Sequence, residues 1–508
     1  MSNTESVEQG NAARGALSDD SVVQRAGYRQ ELRRTLRFFS MFAIAFSIIS
    51  ITTGIFLNYG FALTHFGPAS IWTWPIVGAG NLMVAFIVAE LGTRIPLAGY
   101  AYQWSARLVN STYGWFVGFA GLVYMTTGFA GIALLIAAPL TLSEFNVSAA
   151  THPHLMLAVA IMLIVVPFML NIISVQLAAR VNNVAVFTEI VGTVVFGVLL
   201  FVLWGLHTKP TPYGLGILTS TTNAFHNPVW YAFVLSGVMG ASSLVGFELA
   251  ADLSEDAIDP RRTVPKAVIM AVAISVVLGM VALIGFTVAI PSLKAVEGSP
   301  LPLLTVAGYW LPAWLVKTFV AFVVFCMFAI GVVGAGAQAR LAYSMARDNM
   351  LPFSRYLKKV NLKTQTPVVA LLVLVVIDVG MLWYGYLQAN AFGLLVGATA
   401  IIPYIIYFLI TVAYAVKRRT LDSIPGVFSL GRWAWPVIII VLVYTVAIIG
   451  VLSAPATFHG SDKFLGYGFG LAMLWYVAVL ARRLHRGTAG VRPIEEVLAG
   501  ANGETEQR

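Results

Sequence analysis

Twelve apolar runs of membrane-crossing length leave this chain few folds to choose from. They fall near residues 38–64, 69–93, 113–139, 155–174, 183–205, 229–251, 266–290, 313–339, 367–387, 391–416, 433–453 and 464–481. A helix of about 20 apolar residues spans the hydrocarbon core, where every backbone polar group must find a partner within the protein. Only 10% of the 508 residues are charged and 59% are hydrophobic, with a mean hydropathy of +0.84. Soluble domains carry about 25% charged residues. The chain is therefore an all-α polytopic membrane protein. Its one cysteine, Cys326, lies inside an apolar run, so neither a disulfide nor a cysteine metal centre is expected.

Twelve crossings return both termini to one side, and Lys and Arg indicate which. Of the 31 such residues, all but Lys209, Lys294, Lys317 and Lys463 fall in the tails and even-numbered loops. Both termini are therefore expected in the cytoplasm, with the protein in the plasma (cell inner) membrane. This distribution explains the net charge of +9 without a nucleic-acid partner. Residues 1–24 lack the basic start and short apolar core of a signal peptide. They read as a disordered tail before an uncleaved first span. Arg25–Arg37 is basic and partly apolar, suited to the inner membrane surface. Trp72, Trp74, Trp204, Trp230, Trp310, Trp314 and Trp383 fall at outer span ends, and Trp104, Trp433 and Trp435 at inner ends. That is the pattern of interfacial belts. The longest interior loops, 206–228 and 340–366, are too short to hide a soluble domain.

Two spans are interrupted. Ser50-Ile51-Thr52-Thr53-Gly54-Ile55-Phe56 places hydroxyls and a glycine in the middle of the first, a poor composition for an unbroken helix. A helix that stops near Ser50 and restarts near Thr53 presents unpaired N–H groups and a positive dipole end, which suit an anion such as a carboxylate. The bland alternative is a small-residue packing face. Ser236-Gly237-Val238-Met239-Gly240-Ala241-Ser242-Ser243 interrupts the sixth span. It comes five helices after the first, an odd shift, so a five-helix repeat runs inverted through the membrane. Paired interruptions of this kind mark a transport site at mid-membrane. The expected organisation is a tail over 1–37, repeats over 38–205 and 229–416, two peripheral helices over 433–484 and a tail over 485–508.

Four stretches then resemble the amino acid–polyamine–organocation transporter superfamily, most closely its amino acid/choline branch. Thr52-Thr53-Gly54-Ile55-Phe56 is similar to the family's G-S/A-G-I-F, with threonines where small residues are usual. Glu90-Leu91, Pro96, Gly99 and Tyr102 follow E-L-x-x-x-x-P-x-x-G-x-x-Y. Gly246-Phe247-Glu248, with Glu255, Pro260, Arg262 and Pro265 beyond it, resembles G-F-E followed by an acidic pair and N-P-x-R-x-x-P. Arg340 to Pro352, containing Ala346-Arg347-Asp348, is close to the motif after helix eight. The resemblance implies a five-plus-five inverted repeat with alternating access. It implies a substrate carboxylate on the amides of Thr53, Gly54 and Ile55, and an ammonium on carbonyls near Ile51 and Ser236–Ala241, a stretch that includes Gly240. Ser242 stands where many members place a gating aromatic, leaving Phe247 or Tyr124 to compensate.

Glu189 lies in the middle of the fifth span. A carboxyl there is costly and commonly faces a cavity or a partner. Many relatives hold a lysine at that position, so Glu189 is expected to couple protons or balance an amine substrate, unless it is a structural hydrogen-bonding group. Glu248 is a second coupling or gating candidate. Asp378 reads as a packed neutral carboxyl, and Glu90 with Arg94 as a simple i,i+4 pair. No Ser or Thr stands between Phe319 and Leu341, which disfavours a sodium site on helix eight and leaves protons as the preferred coupling partner. The seven histidines lack metal spacing, and no phosphate-binding loop follows a strand, so neither an enzyme nor a cofactor is expected. A channel, a transport-silent sensor and a polyamine, choline or other amine carrier are the competing classes.

Overall fold

A computed structural model describes residues 24–496 except 25–26, 30, 33, 223–226, 362, 389, 425 and 454–458. Apart from Gln24, the expected disordered tail lies outside the described residues. Twelve helices among them are long and apolar enough to cross a membrane: α1 Phe38–Phe66, α2 Pro68–Arg94, α3 Ser111–Glu144, α4 Pro153–Ile173, α5 Val175–Gly205, α6 Val229–Asp256, α7 Pro260–Val288, α8 Ala313–Arg347, α9 Val368–Tyr386, α10 Leu394–Val416, α11 Gly431–Ser453 and α12 Leu465–His485. The helix α5 starts eight residues before its apolar run. Ser174 caps it, accepting from the Leu177 amide at 3.3 Å, and a polar first turn carries it to the apolar stretch. Hydropathy locates the membrane-embedded part of a helix, whereas the cap fixes where it begins.

The helix pairings repeat after a shift of five. The pairs α3–α8 and α4–α9 each map onto themselves, while α5 on α8 matches α10 on α3, and α4 on α8 matches α9 on α3. This is the five-plus-five inverted repeat. At its centre α1 and α6 lie antiparallel: the first half of α1 packs on the last part of α6, and the second half on the first. In the apolar stretches of α1 and α6, 83% of residues are buried, against 28% in α11 and 11% in α12, so the last two helices are peripheral.

Charged motif residues distant in sequence meet on the face that carries both chain ends. Arg340 grips Asp256 through Nε at 3.0 Å and Nη2 at 3.3 Å, and Arg347 contacts both oxygens of Glu255 at 3.1 and 3.0 Å. Glu90 and Arg94 pair at 2.6 Å as expected. The pair is also a junction, because Glu90 accepts from Tyr414 Oη at 2.6 Å and the Leu430 amide at 2.9 Å.

Two expectations are corrected here. The described part of the stretch 25–37 folds against the protein instead of lying on the membrane. Leu32 and Leu36 are buried, and Leu36 bridges to Ala257. Tyr28 donates to Asp348 at 2.7 Å and Tyr343 donates to Glu31 at 2.9 Å. Trp74, Trp104 and Trp310 are not belt residues. They are buried, with indole N–H groups on the carbonyls of Val276, Ile95 and Ala289. Trp72, Trp230, Trp314, Trp383, Trp433 and Trp435 are exposed as belts require.

Candidate functional site

The first helix breaks at Ser50. Its residues form one helix over Phe38–Ile49 and another over Ile51–Phe66, with Ser50 between them in the left-handed region at φ 32°. That conformation ends the first helix while the serine side chain caps the second, accepting from the Thr53 amide at 3.3 Å, with Thr53 Oγ1 2.7 Å from its hydroxyl oxygen. Across the break stands Glu189 of α5. One carboxylate oxygen receives the Ser50 hydroxyl at 2.8 Å and the Thr52 amide at 3.2 Å. Thr52 Oγ1 lies 3.1 Å from Thr193 on the same helix. Glu189 is 1% exposed, so the positive end of the restarted helix is matched by an internal carboxylate.

The carboxylate-binding amides inferred from the resemblance are therefore already engaged in this conformation. The Thr53 amide has Ser50 Oγ, and the Gly54 amide bonds the Ser50 carbonyl at 3.0 Å. The unfilled room lies one turn further along the helix. A cavity of about 60 Å³ is bounded by Thr53, Gly54, Asn58, Ser242, Ser243 and Thr399, with an apolar surround that includes Ile48, Leu57, Ile132, Ile330 and Leu395. At roughly 10–15 Å³ of such space per water, it holds only a few solvent molecules. Asn58 donates to the Gly54 carbonyl at 3.0 Å, and this bond orients its amide. Its Oδ1 is buried with no hydrogen-bond partner among the described residues, a strong acceptor next to the cavity.

The sixth helix breaks later than its small residues suggest. Helix continues through Val238–Ser243. The chain leaves it at Leu244–Val245 and turns at Gly246, with φ +89°, into a 3-10 helix over Phe247–Asp256. Ser236 and Gly237 mark only a tightened turn, and the Ser236 hydroxyl bonds back to the Phe233 carbonyl at 2.7 Å. The physical reason is Gly246, because an added Cβ there would collide with Ile48. The two broken helices thus touch at Gly246.

Of the expected ligands, Thr53, Gly54 and Ser242 border the cavity, whereas Ile51, Thr52, Ile55, Ser236, Gly240 and Ala241 do not. The carbonyls at the sixth-helix break are held by neighbours. Ala241 accepts from Tyr404 at 3.0 Å and Leu244 from Asn81 at 2.8 Å. Phe247 stacks on Tyr407 with ring centroids 5.6 Å apart, and neither Phe247 nor Tyr124 borders the cavity. Glu248 receives the Tyr407 hydroxyl at 2.5 Å, and that hydroxyl accepts the Gly246 amide at 3.2 Å. The other Glu248 oxygen is buried without a partner among the described residues. Asp378 receives Thr126 at 2.7 Å and Gln338 at 3.0 Å, tying α9 to α3 and α8. Asn58, Ser243, Thr399, Tyr404 and Tyr407 were missed in the sequence. Only Asn58 carried a signal there, since it stands one helical turn after Gly54.

Two discontinuous helices lying antiparallel beside a cavity that several polar side chains border, within an inverted repeat, define a secondary transporter. The chain belongs to the amino acid permease family of the amino acid–polyamine–organocation superfamily, whose model matches residues 36–479. It is 25% identical to the amino-acid permease BAT1 of Arabidopsis thaliana, over 88% of this chain and 90% of the relative. It is 27% identical to the GABA-specific permease of Saccharomyces cerevisiae, over 70% and 64%. It is 23% identical to the thiamine transporter thi9 of Schizosaccharomyces pombe, over 89% and 82%.

Proposed function

We propose that this permease carries an amino acid or a closely related small molecule by alternating access, coupled to protons through Glu189. The observation that supports this most is the Glu189 carboxylate on the break of α1, at 2.8 Å from Ser50 Oγ and 3.2 Å from the Thr52 amide. A carboxyl at this point holds the two halves of α1 in one relation while charged. On gaining a proton it loses most of its attraction for the helix dipole and its acceptor strength. Protonation and the geometry of the break are thereby linked. The substrate is proposed to lie in the cavity beside Thr53, Gly54, Asn58 and Ser242, with its ammonium on Asn58 Oδ1 and its carboxylate drawn to the restarted helix as the cavity opens. Glu248 and the Phe247–Tyr407 stack, with Tyr124 beside Gly246, are proposed as the gate between this cavity and the terminal face. The excess of Lys and Arg on that face supports a cytoplasmic location for both termini in a plasma membrane.

The likeness to a thiamine transporter supports a second reading, an organic cation carrier without a carboxylate contact. Competition of labelled amino acid uptake by free acids, their amides and simple amines separates the two. The first reading requires amides to compete at least about tenfold more weakly than acids, corresponding to roughly 1.4 kcal/mol for a charge-assisted contact. Equal competition by acid and amide establishes the second.

A further inference from the structure

A groove of about 1050 Å³ runs between α3, α9 and α12, far larger than the transport cavity and separate from it. Its walls are apolar, with Phe119, Leu122, Ile377, Met381, Leu471 and Trp475 among the lining side chains. Thr126 also borders it, but its hydroxyl is spent on Asp378. From Val369 to Tyr384 the α9 face extends about 22 Å at the usual helical rise, most of the roughly 30 Å hydrocarbon core. Two glycines keep it open. A Cβ added to Gly380 or Gly468 meets no atom of the described residues within 4 Å.

The mouth of the groove on the terminal face differs in chemistry. Phe353 and Tyr356 form its rim and are exposed. Arg355, Lys358 and Lys359 stand on the same loop, and Lys359 lies over the Tyr356 ring at 5.4 Å. Arg482 and Arg483 lie in the last turn of α12 and Arg486 just beyond it, and Arg483 ties that end to the rim through the carbonyls of Asn349 at 3.3 Å and Leu351 at 3.4 Å. Residues 349–367 and 476–494 contain no Asp or Glu. None of these six cations joins an ion pair among the described residues.

We propose that the groove is a binding site for an anionic phospholipid, with acyl chains between α3, α9 and α12 and the headgroup on the cationic rim. Basic pockets at helix ends recognise anionic headgroups in this way. A sterol offers a single neutral hydroxyl and leaves the cations unmatched. A second copy of the chain, joined symmetrically, would set the same positive rims against each other. The phospholipid satisfies both the apolar wall and the charge.

The test uses full-length protein in nanodiscs of equimolar phosphatidylglycerol and phosphatidylcholine, extracted gently and weighed intact with its retained lipid. The wild type retains phosphatidylglycerol in preference. Arg355→Gln/Lys359→Gln reduces that preference by about fivefold for each cation removed. Gly380→Phe and Gly468→Phe, which fill open space, retain less of either lipid while keeping the wild-type melting profile. Retention of both lipids alike by the wild type overturns the headgroup assignment. Undiminished retention in both filled-groove variants overturns the site. A wild-type dimer that Gly380→Phe dissociates identifies the groove as a subunit interface and equally contradicts the proposal.

Discussion

Arg340 of α8 and Asp256 at the end of α6 form a bidentate pair, at 3.0 and 3.3 Å, with both side chains essentially inaccessible. The pair fastens the end of the broken sixth helix to the long helix α8. Removing one partner leaves an uncompensated buried charge, which costs about 3–5 kcal/mol. Arg340→Met should therefore lower the melting temperature of the detergent-solubilised protein markedly. Arg340→Met/Asp256→Leu should recover most of the loss, since replacing a whole buried pair by apolar groups is often neutral or better. A double variant as unstable as the single would show that the positions, and not the charges, matter.

Gly54 lies against Ser243, and a Cβ on it would collide with the serine side chain while standing 3.1 Å from its Cα. Gly54→Ala should depress uptake on the order of 100-fold by displacing the restarted helix against α6. Ser243→Gly in the same protein should restore room and part of the uptake. Correctly inserted Gly54→Ala protein with ordinary uptake would remove the cavity from the transport path.

The sequence disclosed the fold and only part of the site, for reasons visible in particular residues. Twelve helices and both broken spans follow from hydropathy and from small or hydroxylated residues, which are local signals. Glu189 was legible because a carboxyl in the middle of an apolar span stands out by itself. The break in α6 was misplaced because the run from Ser236 to Ser243 has the composition of an interruption, yet tertiary packing keeps Val238–Ser243 helical. Its true position depends on Gly246 touching Ile48 of α1, a contact 198 positions away in the chain that no local pattern reports. Tyr404 and Tyr407 likewise look like ordinary aromatic residues of α10 until α6 is laid beside them.

Asp348 ties both chain ends to the body of the protein. It receives Tyr28 at 2.7 Å, Tyr102 at 2.8 Å and Gln103 at 3.0 Å, while its carbonyl accepts the Gly490 amide at 3.0 Å. Burial pushes its carboxyl above the ordinary range, against the lowering influence of Arg347 and the tyrosine hydroxyls. A raised pKa with these contacts made means that making them binds a proton. The attachment is therefore tightest at acidic pH and weakens as pH rises through the raised value. Hydrogen exchange of residues 27–36 should accelerate between acidic and neutral pH in the wild type and lose that pH dependence in Asp348→Asn. Slower exchange at neutral pH than at acidic pH, after correction for intrinsic rates, would reverse the sign and reject this role.

Glu189→Gln in sealed proteoliposomes tests the coupling mechanism most directly. Glutamine keeps the shape and an acceptor for Ser50 and Thr52 but takes up no proton at physiological pH. Counterflow of labelled substrate between equal internal and external pools should persist near the wild-type rate. Accumulation driven by an inward pH gradient should fall to the equilibrium level and become independent of the gradient. Gradient-driven accumulation by Glu189→Gln equal to the wild type, with the same pH response, would contradict proton coupling through Glu189.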